Sequence, residues 1–348
     1  MRVLYISRSK LEHSVNAVYI KGLEKNGVQV IGFFVSQKGI RGYLEAIKFL
    51  KKRGKSGDVV IVGYDSPGLV ILARIIGRKN VVYNALCSVY ERLIVSRNLV
   101  SKFSLKSFYY WFIDFWATRC AELTMVETSQ QADYFKKLFK LSGEKLFIAP
   151  IGVDEDVFSY DSSIPKFERF TVLFRGALMP ESGAEYVVQA AKILEKEDIK
   201  FVMIGGGILL EKIRRLKDEL NTANLELITD FLPNDKLVEF MNRSHLSLGQ
   251  LSSHERLDRT IPHKCYESLA MGLPYLTASN KAVLELLKDG ETCLTCKPGD
   301  ARSLAEKIIW AKKNPEALNK IAENGYQLFQ SKLTSKILAA KLINKISI

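Results

Sequence analysis

Residues 259–280 read RTIPHKCYESLAMGLPYLTASN. Pro262 opens a short helix, and Gly272-Leu273-Pro274 closes it. Proline is preorganised for a helix start, while glycine followed by proline stops one. A strand-like run, Tyr275–Ser279, comes next. One carboxylate, Glu267, falls a turn into the helix. A loop, a helix N-terminus and a carboxylate suit a nucleoside diphosphate, with phosphates on the first-turn amides and a ribose diol on the carboxylate. The same spacing also fits an ordinary strand-to-helix turn with a surface glutamate. Lys264 stands in the first turn, three residues before Glu267. A cation there opposes the helix dipole unless an anion lies nearby, which favours a phosphate. Arg259 adds a positive charge just upstream, and Pro262, His263 and Ser268 complete the candidate nucleotide-binding set in this stretch.

Outward from this stretch the chain alternates strand and helix. Val3–Ser7, Val28–Ser36, Asp58–Val62, Val81–Asn84, Leu123–Val126 and Leu146–Ala149 read as strands. Helices at Val15–Asn26, Gly42–Arg53, Leu69–Ile76 and Ser129–Phe139 separate them. The pattern restarts at Phe170, with strands Thr171–Phe174, Lys200–Ile204, Leu225–Ile228 and Leu246–Gly249 and helices Gly183–Glu195, Leu209–Leu220 and Asn234–Arg243. Such alternation means parallel βαβ units, an α/β fold. The 348 residues exceed one ordinary core. Two successive doubly wound units are therefore expected, over 1–160 and 165–329, with a seam near 150–168 and residues 330–348 packing back on the first. Ligands of such sheets bind beyond the carboxyl ends of the strands, here in a cleft between facing units.

Other strand ends carry candidate chemistry. Phe174-Arg175-Gly176-Ala177 ends a strand, and an arginine there either reaches a diphosphate or stays on the surface. Gly205-Gly206-Gly207 lies between a strand and a helix, where it either approaches a ligand or only closes a tight turn. It is not a dinucleotide fingerprint, since Leu210 stands where the third glycine belongs. Asp65, Asn84 and Glu127 follow strand ends of the first unit, where side chains can orient a bound ligand. His13, His245, His254 and His263 form no hydrolase triad or metal cluster with neighbouring residues. Cys293-Leu-Thr-Cys296 lacks the second pair or histidine of a zinc site and reads as two reduced thiols.

Charge is unevenly distributed. Residues 1–150 hold 24 Lys and Arg against 11 Asp and Glu, whereas residues 151–348 hold 27 of each. A basic first half calls for an anionic partner. Residues 99–119, LVSKFSLKSFYYWFIDFWATR, place Phe108, Trp111, Phe112 and Phe115 on one helical face with Lys102, Lys106 and Arg119 around them. This stripe is either core packing or an interfacial helix on an anionic bilayer. Basic and aromatic residues also suit nucleic acid, but no recognisable nucleic-acid module is present, and none is expected as partner. No run of 18 uncharged apolar residues occurs, and the start MRVLYISRSK lacks a signal peptide's apolar stretch. A cytoplasmic protein, peripheral at the inner face of the cell membrane, is the expectation.

Four segments in register resemble the donor domain of family 4 of the retaining glycosyltransferases, which have the GT-B fold. They are PIGVDEDVF (150–158), LFRGALMPESGAEYVVQAAKIL (173–194), FVMIGGG (201–207) and RTIPHKCYESLAMGLPYLTAS (259–279). The resemblance covers about 200 residues; the first half shares only the strand pattern and AELTMVETSQQADYF (121–135). It implies sugar transfer from a nucleotide sugar with retained configuration and no essential metal or other cofactor. Glu267 matches the second glutamate of that family's paired-glutamate motif, which implies that it holds the ribose hydroxyls. The first glutamate would fall at Arg259, so 260–264 looks like a Pro-x-Lys variant. The family's phosphate-binding Arg and Lys would fall at Ala177 and Ser182, leaving Arg175, Arg259 and Lys264 as candidate substitutes. The first half also lacks the family's Gly-Gly loop near Leu11–Val15 and its histidine near Asn84–Cys87. The expected function is transfer from a nucleotide diphosphate sugar to a polyprenyl-linked or polysaccharide acceptor. Glu267, Arg175 and Lys264 are the candidate catalytic residues, and Gly176, Gly205 and Gly206 join the donor-binding set. A nucleotide-sugar epimerase on the same fold, or a binding homologue without activity, are the alternatives.

Overall fold

Runs of β-branched residues such as Val59-Val60-Ile61-Val62 are buried along their whole length, as parallel strands covered by helices on both faces must be. The computed structural model describes residues 1–12, 14–97, 99–161, 163–230 and 232–347; His13 lies outside them. The chain forms two units, Met1–Asp154 with Leu333–Ile348, and Glu155–Lys332.

In the first unit, strands β1 (Arg2–Ser7), β2 (Gln29–Phe34), β3 (Val59–Val62), β4 (Val81–Leu86), β5 (Leu123–Val126) and β6 (Leu146–Ile148) make one sheet. Its order is β2-β1-β3-β4-β5-β6, and every neighbouring pair is parallel. Helices α1 (Ser14–Lys25), α2 (Gly39–Arg53), α3 (Pro67–Ile75), α4 (Leu105–Cys120) and α5 (Ser129–Phe139) connect them. Leu4, Ile6, Val60, Val62 and Tyr83 bury one sheet face under α2 to α5. Alternate residues Val3, Tyr5, Ile61 and Val82 bury the other face under α1 and the last helix of the chain, at Ser335–Ile346. That helix meets α1 closely, since a Cβ on Gly22 would come 2.1 Å from Ser335 O and 2.8 Å from Ala339 Cβ.

The aromatic segment packs on the core only in part. Ser104 caps α4 by accepting from Ser107 N, and the helix buries Ser107, Asp114, Ala117 and Thr118. Trp111 and Phe115 pack on the core, while Phe108 and Phe112 of the same stripe face water. The stripe fell across the edge of the buried face, because the inward side of α4 is led by Ala117 and Asp114 rather than by the rings. Asp114 accepts from Tyr90 N at 2.8 Å, and burial pushes its carboxyl up to about 8.

In the second unit, β7 (Phe170–Arg175), β8 (Ile199–Ile204), β9 (Leu225–Ile228), β10 (Leu246–Leu248), β11 (Tyr275–Ala278) and β12 (Leu294–Cys296) form a parallel sheet in the order β12-β11-β10-β7-β8-β9. Its helices are α6 (Ala184–Ile193), α7 (Leu210–Glu219), α8 (Asn234–Arg243), α9 (His263–Ala270), α10 (Lys281–Leu286), α11 (Ala301–Lys313) and α12 (Pro315–Lys332). The chain runs outward from β7 through β8 to β9, then returns to place β10 on the other side of β7. Strand order therefore reverses between β7 and β10, the place where doubly wound sheets bind ligands.

The α1 contact gives a direct stability test. Gly22→Ala pushes a methyl into the Ser335 backbone and should lower unfolding stability by about 1–3 kcal/mol. An unchanged thermal midpoint would show that the last helix does not pack on α1 at this approach.

Candidate functional site

Arg175 is the last residue of β7, at the reversal point, and is 2 % exposed. Its Nη1 donates to Ser247 Oγ of β10 at 2.7 Å. Its Nη2 donates to Glu267 Oε2 at 2.9 Å and to Lys264 O at 3.1 Å, both in α9, and lies 3.3 Å from Ser268 Oγ. One guanidinium thus ties β7, β10 and α9 together, and Arg175 Nε is buried without a partner. Its fork turns toward α9 because a planar, permanently charged donor matches a carboxylate and a carbonyl side by side. Ser268 Oγ completes the knot, donating to Lys264 O at 2.6 Å and lying 2.9 Å from Ser247 Oγ. Glu267 stays 18 % exposed at its side chain, so it faces Arg175 on one side and solvent on the other.

Lys264 is the unusual member. It lies in the first turn of α9 and is 7 % exposed, and its Nζ is buried without a hydrogen bond. The amine sits 4.1 Å from the centroid of the Phe174 ring. Burial, then the nearby Arg175 charge, lower its pKa to about 7, and Glu267 only partly opposes the shift. No side chain caps this helix start, whose cap residue is Pro262. Two cations, one carboxylate and the positive end of a helix dipole therefore share one place. An anion among them would remove the imbalance.

The loops above the cluster are held by glycine. Gly176 has φ 113° and is exposed, and a Cβ there would lie 3.7 Å from Lys264 Cε and 3.8 Å from Nζ. A Cβ on Gly205 would come 2.0 Å from Gly176 O, so the turn after β8 packs directly on the turn after β7. Gly176 N donates to Ile204 O, and Leu178 N to Gly206 O, both at 2.9 Å. The glycines thus bring two backbones together beside the Lys264 amine.

The structure brings Arg175, Lys264, Glu267, Ser268, Gly176, Gly205 and Gly206 into one neighbourhood, with Pro262 as its cap. His263 begins α9, and Arg259 lies just before the loop, 3.4 Å from Glu255. Ala177 is exposed, whereas Ser182 is fully buried. Ser247 and Phe174 were missed in the sequence; a serine inside the short buried strand Leu246–Leu248 was the only signal for the first, and nothing marked the second.

Asp65, Asn84 and Glu127 belong to the first unit. Asp65 follows β3 with φ 60° and pairs with Arg92. Asn84 lies within β4 rather than beyond it, because the strand continues to Leu86 through a register shift. Its buried amide sits 3.4 Å from both Tyr5 Oη and Val15 O, on the buried rather than the solvent side. Glu127 follows β5 and is also buried. Cys293 and Cys296 are buried free thiols, each pushed up to about 12 by burial.

Residues 160–328 match the family model described as glycosyl transferases group 1. The chain is 21 % identical over 309 residues to a 2-deoxystreptamine N-acetyl-D-glucosaminyltransferase of Niallia circulans, an alignment spanning 84 % of this chain and 77 % of that protein. Its fold is similar to HepE of Anabaena in complex with UDP-glucose, with TM-score 0.77 and 14 % identity over 100 % of this chain and 99 % of the other. It is similar as well to sucrose-phosphate synthase of Thermosynechococcus elongatus, with TM-score 0.78 and 13 % identity over 99 % and 98 % of the two chains. Two six-stranded parallel sheets, each flanked by helices, are thus those of the GT-B fold. Residues 160–328 thus match the glycosyl transferases group 1 model, and the chain is a glycosyltransferase.

Proposed function

We propose that the chain transfers a sugar from a nucleoside diphosphate sugar, with the diphosphate at the start of α9 and the ribose diol on Glu267. The observation that carries this is the Lys264 amine, buried without a hydrogen bond at an uncapped helix start beside Arg175. A diphosphate would bridge that amine and the α9 amides, and would be held more tightly as charge develops on it during departure. Arg175 acts through Glu267 and the Lys264 carbonyl, fixing α9 rather than touching the phosphates. HepE binds UDP-glucose, which makes uridine the first base to test.

Transfer proceeds with retention. A leaving phosphate oxygen accepts the acceptor's proton on the same face, so no protein base is needed at that step. The acceptor is a lipid-linked or polysaccharide glycan, met at the inner face of a membrane. Among the described residues no helix is long and apolar enough to cross one.

Calorimetric titration with UDP, GDP and ADP tests the donor site. One nucleotide should bind selectively, and Glu267→Ala should weaken it by about 1.5–3 kcal/mol, the usual worth of a hydrogen bond to a charged group. Binding of none of the three would end the proposal.

Lys264 gives a test in protons. Its folded pKa of about 7 lies below the ordinary lysine value of 10.5, so the unfolded chain binds more protons between those values. The stability penalty from this group is full below about pH 7 and fades as pH rises through that window. Lys264→Met should therefore stabilise the ligand-free protein most below about pH 7, by an amount on the order of a few kcal/mol. At about pH 8 the wild type should take up as much as ~1 proton on nucleotide binding, seen as a buffer-dependent binding heat, and Lys264→Met should not. Equal proton uptake by the two proteins would mean that Lys264 does not meet the diphosphate.

A further inference from the structure

The outer side of α4 presents a surface that the core and the α9 site leave unused. Leu105, Phe108, Tyr109, Phe112 and Trp116 lie opposite the buried Ser107, Asp114 and Ala117, each between 44 and 90 % exposed, and Phe103 just before the helix is 97 % exposed. The rings form a continuous row, with Phe108 and Phe112 centroids 6.1 Å apart and Phe112 and Trp116 6.2 Å apart. A row of large apolar side chains over three turns is not needed for packing, since Trp111, Phe115 and Asp114 already anchor the helix. Contiguous exposed apolar patches of this kind mark interaction surfaces.

Charge says what covers it. The unit formed by 1–154 and 333–348 holds 27 Lys and Arg against 12 Asp and Glu, and the other unit holds 24 against 26. Lys102 and Lys106 flank the aromatic row and are exposed. Helix α2 buries Gly42, Ala46 and Leu50 and exposes Arg41, Lys48, Lys51 and Lys52. Because α2 and α4 both bury their inner sides on the same sheet face, their outer sides look away from it together. Docking a second copy through this surface would bring two strongly basic faces together.

We propose that the outer face of α4, with the basic face of α2, docks on an anionic lipid bilayer. The rings sit at the boundary between headgroups and acyl chains, and the lysines and arginine meet the headgroup phosphates. This deepens the acceptor half of the proposed function and is independent of the donor half.

The test uses the full chain and vesicles of phosphatidylcholine with or without phosphatidylglycerol. Trp111→Phe with Trp310→Phe leaves Trp116 as the single reporter among three tryptophans. The protein should sediment with the anionic vesicles at low salt and less at high salt. Trp116 emission should shift to the blue and be quenched by brominated acyl chains. Phe108→Glu with Phe112→Glu changes only exposed positions, so its melting temperature and nucleotide binding should hold while partitioning falls at least about tenfold. Vesicle binding that leaves Trp116 unquenched overturns the proposal. So does equal partitioning of the double variant, or tighter binding to a single-stranded oligonucleotide than to the vesicles. Nucleotide titration of the same samples shows whether the donor site fails separately.

Discussion

Excess positive charge buried at the start of α9 is the constraint around which the second unit is arranged. Arg175 is paired, because Glu267 accepts from it at 2.9 Å. Lys264 is not, and burial with the Arg175 charge holds its pKa near 7. A protein of ordinary stability does not bury an ammonium without a hydrogen bond for packing alone, since the desolvation cost is several kcal/mol. The Phe174 ring returns only a small part of it. Strain of this sort is kept where a ligand relieves it.

The rest of the unit holds that place together. The reversal of strand order between β7 and β10 leaves a gap beyond their carboxyl ends, and Arg175 spans it to Ser247. Gly176 and Gly205 let two turns meet backbone to backbone beside Lys264. Ser268 ties the first turn of α9 to β10, which prevents Lys264 from swinging to solvent with a fraying helix end. The first unit has a different chemistry. Its polar strand-end residues are drawn into Tyr5, Val15 and Arg92, while its charge and exposed rings are gathered on the α2 and α4 side.

Much of this was legible in the chain. Short apolar runs alternating with helices revealed the strands, and Pro262 with Gly272-Leu273-Pro274 bounded α9 closely. Lys264 was legible as a local conflict, a cation against a helix dipole. What was hidden depends on residues far apart in sequence. Arg175 meets Ser247 and Glu267 across 72 and 92 positions, so its inward turn leaves no local trace. Asn84 read as a strand-end residue because the register shift that carries β4 on to Leu86 is set by its pairing with β5. The aromatic segment showed its period but not its phase, since small Ala117 and polar Asp114, rather than the rings, mark the buried side.

A crystal structure of the chain with bound nucleoside diphosphate addresses the central claim most directly. The account predicts phosphate oxygens within hydrogen-bond distance of Lys264 Nζ and of the first α9 amides, the ribose diol on Glu267, and Arg175 still on Glu267 and the Lys264 carbonyl. A nucleotide seated elsewhere, with Lys264 still buried and without a hydrogen bond, would contradict it.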